Sequence, residues 1–171
     1  MPERYPIVRA GKRVTGAFLE SFQPLTVRKT ADTGRTTTTA SADPELQLTV
    51  EATATYLVTA VLHCSNTTST DDVNIDFTAP SGADGTWGGH GLAINVASDT
   101  GDARMASQGV DSSKSFGTSN GGGSTPTPVF IMGMLITGST SGTYSLDWGQ
   151  NNATGTLTVY QDSWLRLERI A

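Results

Sequence analysis

The chain has 171 residues, a formal net charge of −5 and only 16% charged residues, against roughly 25% in an average globular domain. The 27 Thr, 16 Ser and 19 Gly that fill the gap suit half-exposed strands and turns, which argues against a helical bundle. A single cysteine, Cys64, excludes an internal disulfide framework and a cysteine-rich zinc site, and no apolar run reaches bilayer length.

The charge is divided along the chain. Residues 1–35 carry seven basic and three acidic side chains, a balance of +4; residues 36–171 carry four and thirteen, a balance of −9. The opening residues lack the apolar core of a secretory signal, so the expected protein is soluble and made in a cytoplasm. Its first 41 residues read as an anchoring arm, with residues 42–171 as the folded domain. In the arm, Arg9, Lys12 and Arg13 are interleaved with Tyr5, Ile7, Val8, Phe18, Leu19 and Phe22. That mixture favours docking on an acidic protein surface, with apolar anchors and steering charges, over binding nucleic acid. The rival reading folds the arm back on its own domain.

Thr15 is placed to cap a short helix over 16–22, with Phe18, Leu19 and Phe22 on one face and Pro24 ending it. Such a helix is too short to persist alone, so its apolar face needs a partner. After a Thr-rich connector, alternation takes over at Leu46–Val50, Tyr56–His63, Val73–Phe77 and Leu92–Val96. Residues 129–137 form the most apolar run and read as a central strand, followed by alternations at 144–148, 157–159 and 165–167. The stretch Trp87-Gly88-Gly89-His90-Gly91 reads as a loop, and residues 111–128 as a long exposed one. The predicted fold is all-β: an antiparallel sandwich, jelly-roll-like, behind an extended arm with one short helix.

Chemical motifs are sparse. His63 and His90 have no partner at metal-ligand spacing, and neither a nucleophile elbow nor a phosphate-binding glycine motif occurs. No catalytic residue, metal or cofactor is therefore assigned. Asp72, Asn74 and Asp76 share a strand face with Asp71 and Asp84 nearby in sequence; they read as a solvated face, with calcium or a glycosidic acid pair as alternatives. Trp87 and Trp148 are the candidate glycan contacts, since exposed aromatic faces stack on sugars; core packing is the competing fate for Trp148.

Two blocks, Ala10-Gly11-Lys12-Arg13-Val14-Thr15-Gly16-Ala17-Phe18-Leu19 and Arg28-Lys29-Thr30-Ala31-Asp32-Thr33-Gly34-Arg35 with Ala42-Asp43-Pro44-Glu45-Leu46, resemble segments of small structural proteins from tailed phages of actinobacteria. The ending Ser163-Trp164-Leu165-Arg166-Leu167-Glu168-Arg169-Ile170 is similar to theirs as well. The resemblance implies a virion component, either a capsid decoration or a tail- or fibre-associated protein. By analogy with jelly-roll virion modules it implies a homotrimer, anchored to other virion proteins by its arm. A carbohydrate-binding module that recognises a host-surface glycan is the alternative.

Overall fold

The computed structural model describes residues 10–11, 13–21, 23–68, 72–95, 103–118 and 126–171. Helix α1 (Gly16–Glu20) precedes twelve strands: β1 (Leu25–Arg28), β2 (Thr33–Arg35), β3 (Ser41–Val50), β4 (Thr55–Asn66), β5 (Val73–Thr78), β6 (Asp84–Leu92), β7 (Ala103–Gly109), β8 (Lys114–Phe116), β9 (Thr127–Ile136), β10 (Gly142–Gln150), β11 (Leu157–Val159) and β12 (Trp164–Arg169). The named pairings are all antiparallel.

The small sheet runs β3-β10-β5-β8, and the heart of the large sheet runs β4-β9-β6-β7. From β3 to β10 the chain changes sheets at every connection except β6–β7. Those two orders define a jelly roll of two facing four-stranded sheets. The free edge of β4 is long enough for two partners: β12 covers 56–61 and β11 covers 64–66. The handover falls at Tyr160–Ser163, where Asp162 takes a left-handed φ of 70°. There Ser163 Oγ accepts from the His63 amide (3.0 Å) and donates to the Tyr160 carbonyl (2.8 Å).

Alternation directs Leu46 and Val50 of β3, Val58, Ala60 and Leu62 of β4, Val73, Ile75 and Phe77 of β5, and Tyr144, Leu146 and Trp148 of β10 into one core. At its centre Phe77 stacks on Tyr144 (5.1 Å between centroids) and meets Trp87 edge-on (5.2 Å). Aromatic pairs in these geometries stabilise a core beyond the area they bury.

Several sequence readings are corrected here. The glycine-rich stretch read as a loop is β6, because Gly89 and Gly91 answer to the opposite sheet and not to a turn. A Cβ on Gly89 would stand 2.3 Å from the Phe116 ring. Leu92 ends β6, Ile94 lies in a turn and Val96 is outside the described residues, so the alternation expected there is not a strand. Strand β7 was not anticipated. The long loop expected at 111–128 contains β8, whose Phe116 is fully buried, and the start of β9; residues 119–125 lie outside the described residues. Residues 25–35, assigned to the arm, belong to the large sheet through β1–β12 and β2–β11 pairing.

Candidate functional site

The arm helix forms where the Thr15 cap places it. Thr15 Oγ1 accepts from the Phe18 amide (3.2 Å), and the Leu19 amide donates to the Thr15 carbonyl (3.0 Å). The helix is shorter than the sequence suggested, ending at Glu20, and Ser21 Oγ donates to the Phe18 carbonyl (2.7 Å). Val14 and Leu19 are 63% and 55% exposed, Arg13 is exposed and Phe18 is half-buried. Among the described residues no strand packs extensively on α1. Tyr5, Ile7, Val8, Arg9, Lys12 and Phe22, the other expected docking residues, lie outside the described residues.

The second resemblance block has a structural role. Lys29 is wholly buried, and its Nζ donates to both oxygens of equally buried Asp43 (3.0 and 2.9 Å) and to Thr33 Oγ1 (2.9 Å). Asp43 also accepts from Trp148 Nε1 (2.9 Å) and from the amides of Glu45 (2.9 Å) and Leu46 (3.2 Å). Glu45 accepts from the Thr30 amide (2.8 Å) and hydroxyl (2.6 Å), which hold its carboxyl down to about 2. Arg35 lies 4.0 Å over the Trp148 ring and donates to the carbonyls of Ser41, Ala42 and Trp148. Its pKa is lowered by burial, against the opposing pull of Asp43 and Asp147. These contacts lock the β1–β2 segment across the two sheets, since an ion pair this buried is tolerable only with its remaining polar groups satisfied.

The glycan expectation is corrected. Trp148 is fully buried between Arg35 and the core, and Trp87 is 3% exposed, so neither presents a face to a ligand. Both point inward because each falls on the core phase of its strand.

Asp72 is buried and accepts from the Asn95 amide (3.2 Å), while Asn74 and Asp76 face outward on β5. The sequence missed that Asp147 stands directly across from Asp76 in the register. Burial, then the like charges of Asp147 and Asp111, push the Asp76 carboxyl up, against a bond from the Phe77 amide. Thr78 and Ser145 hydroxyls hold the two oxygens of Asp147 (2.7 and 2.6 Å). The two carboxylates thus form a like-charged cross-strand pair, already engaged by neighbours. Among the described residues no group of three or more His, Cys, Asp or Glu is placed to hold a metal ion, and no helix is long and apolar enough to cross a membrane. Cys64 is buried, which pushes its thiol up to about 12 and leaves it a packing residue.

Among the described residues, six of the ten exposed large apolar side chains lie on the outer face of the large sheet. Register aligns three rows across it: Trp164, Val61, Phe130, His90, Met105; then Arg166, Thr59, Met132, Gly88, Ser107; then Glu168, Leu57, Met134, Thr86, Gly109. Met105 is 83% and Met132 71% exposed, with Leu57, Phe130, Met134 and Ile136 at 40–50%. A hollow of about 450 Å³ opens beside them, lined by Gly88, His90, Met105, Ser107, Phe130 and Met132. Its floor is bare because Gly88 has no side chain; a Cβ there would stand 2.9 Å from the Ala106 carbonyl oxygen. The signal was present in the sequence: the β9 run is apolar on both phases, as in a strand covered on both faces.

Fold and surfaces together define a jelly-roll module with an exposed helical appendage and one apolar sheet face. No protein-family model matches the chain, and no curated protein matches it in sequence.

Proposed function

We propose that the chain is a non-enzymatic structural module of a tailed-phage virion, displayed on head or tail and docked to another virion protein through its N-terminal arm. The observation that carries this reading is α1. It is a capped five-residue helix whose Leu19, with neighbouring Val14, is exposed instead of packed on the sandwich. A helix of that length gains its stability from a surface that it covers, not from itself. The basic residues beside it suit an acidic partner surface. The arm block that resembles phage structural proteins is the segment that ends in this helix, whereas the second block is spent on the Lys29–Asp43 lock. The strands of the described residues all begin at or after Leu25, which supports an arm separable from the body.

The test supplies a tagged copy during infection and measures its amount in purified particles. Deletion of residues 1–24 leaves a folded β-domain that fails to join particles, and full-length Val14→Asp/Leu19→Asp loses incorporation as well. Incorporation of both at the full-length level overturns the reading.

A further inference from the structure

Beyond the arm, the outer face of the large sheet has the properties of an interface that no internal element covers. Taking about 200 Å² for a fully exposed large side chain, Leu57, Met105, Phe130, Met132, Met134 and Ile136 expose roughly 650 Å² at their observed fractions. That is above the roughly 300–600 Å² of the largest apolar patch on a typical monomer. It is also close to the roughly 800 Å² that each partner contributes to a standard interface.

The chemistry of the face selects its occupant. Between Arg166 and Glu168 on β12 and the far edge at β7, the three aligned rows contain no Asp, Glu, Lys or Arg, and the next row, that of Ile136, adds exposed Asp84 at its border. Docking of an unlike protein draws on charge complementarity, and the centre of this face, with its charges confined to the margins, offers little. Residues 36–171 carry a balance of −9, so two β-domains approach each other at least cost where each presents an uncharged surface. Knobs and hole also lie on one surface, since the exposed Met105 and Met132 line the hollow over Gly88. A patch that pairs with itself needs its knobs and its hole on one surface. The ion-paired Arg166 and Glu168 (3.1 Å) border the face as a polar rim.

We infer that this face closes against the same face of a second copy of the chain, the methionines of one copy seating in the hollow of the other. Sedimentation of the full-length protein across a micromolar concentration series tests it. The wild type sediments as a dimer of the 17.9 kDa chain. Met132→Glu and Phe130→Glu, both at exposed positions, keep the far-ultraviolet spectrum and weaken association at least tenfold. Val14→Asp/Leu19→Asp leaves association unchanged, which separates this surface from the arm. A monomeric wild type throughout the series overturns the inference, as does an oligomer that survives both face substitutions.

Discussion

Lys29→Met removes the ammonium from the buried lock while keeping most of the aliphatic stem. In the native protein that ammonium donates to both Asp43 oxygens and to Thr33. Without it, Asp43 keeps Trp148 Nε1 and the amides of Glu45 and Leu46 as donors, but its charge stays buried with no directly bonded counterion, only the Arg35 charge nearby. Removing one partner of a buried pair costs about 3–5 kcal/mol. Three surviving donors place the expected loss near the lower end, about 3 kcal/mol, a large share of the roughly 5–15 kcal/mol that stabilises a typical domain. Urea unfolding is the assay, with a lower midpoint and an unchanged slope expected. Adding Asp43→Asn removes the stranded charge, so the double variant loses less than the sum of the singles by roughly 1–3 kcal/mol. A loss below about 1 kcal/mol for Lys29→Met, or strictly additive losses, would refute the view that this pair clamps β1–β2 to the sandwich.

Two further outcomes follow from the same geometry. Because hydrogen bonds from Thr30, and secondarily the Lys29 charge, hold Glu45 near 2 against an ordinary 4.5, the carboxylate contributes stability in full above that ordinary value. The contribution is lost as pH falls from 4.5 through 2, so the stability gap between wild type and Glu45→Gln, measured by urea unfolding, narrows over that interval. A gap independent of pH would count against the assignment. Gly89→Ala drives a methyl into the Phe116 ring and lowers stability by about 1–3 kcal/mol, as overpacking does; Phe116→Leu in the same chain recovers part of it. An unaffected Gly89→Ala midpoint would show that the sheets yield at that point.

Strands whose inward positions are occupied by large apolar residues were legible because period-two alternation is a local property of the sequence. This held for β3, β4, β5 and the run from β9 to β12, and the capped arm helix was equally local. Strand β6 was not legible. Its glycines carry the composition of a turn, and the reason for Gly89, the Phe116 ring arriving from the other sheet, lies 27 residues along the chain. Likewise β1 and β2 look like linker in sequence, since their pairing partners β12 and β11 come from the opposite end.

The sites divide in the same way. Sequence alone determined the class of fold, the place and cap of the arm helix, and the charge division between arm and body, each written in neighbouring residues. Only the tertiary structure decided that Trp87 and Trp148 face inward, because a strand's phase relative to the core is set by pairing. It alone turned Lys29 and Asp43, 14 residues apart, into one buried ion pair. The apolar face of the large sheet belongs to this second group: its side chains come from β4, β7 and β9, and neither their exposure nor the hollow over Gly88 exists until the strands lie side by side.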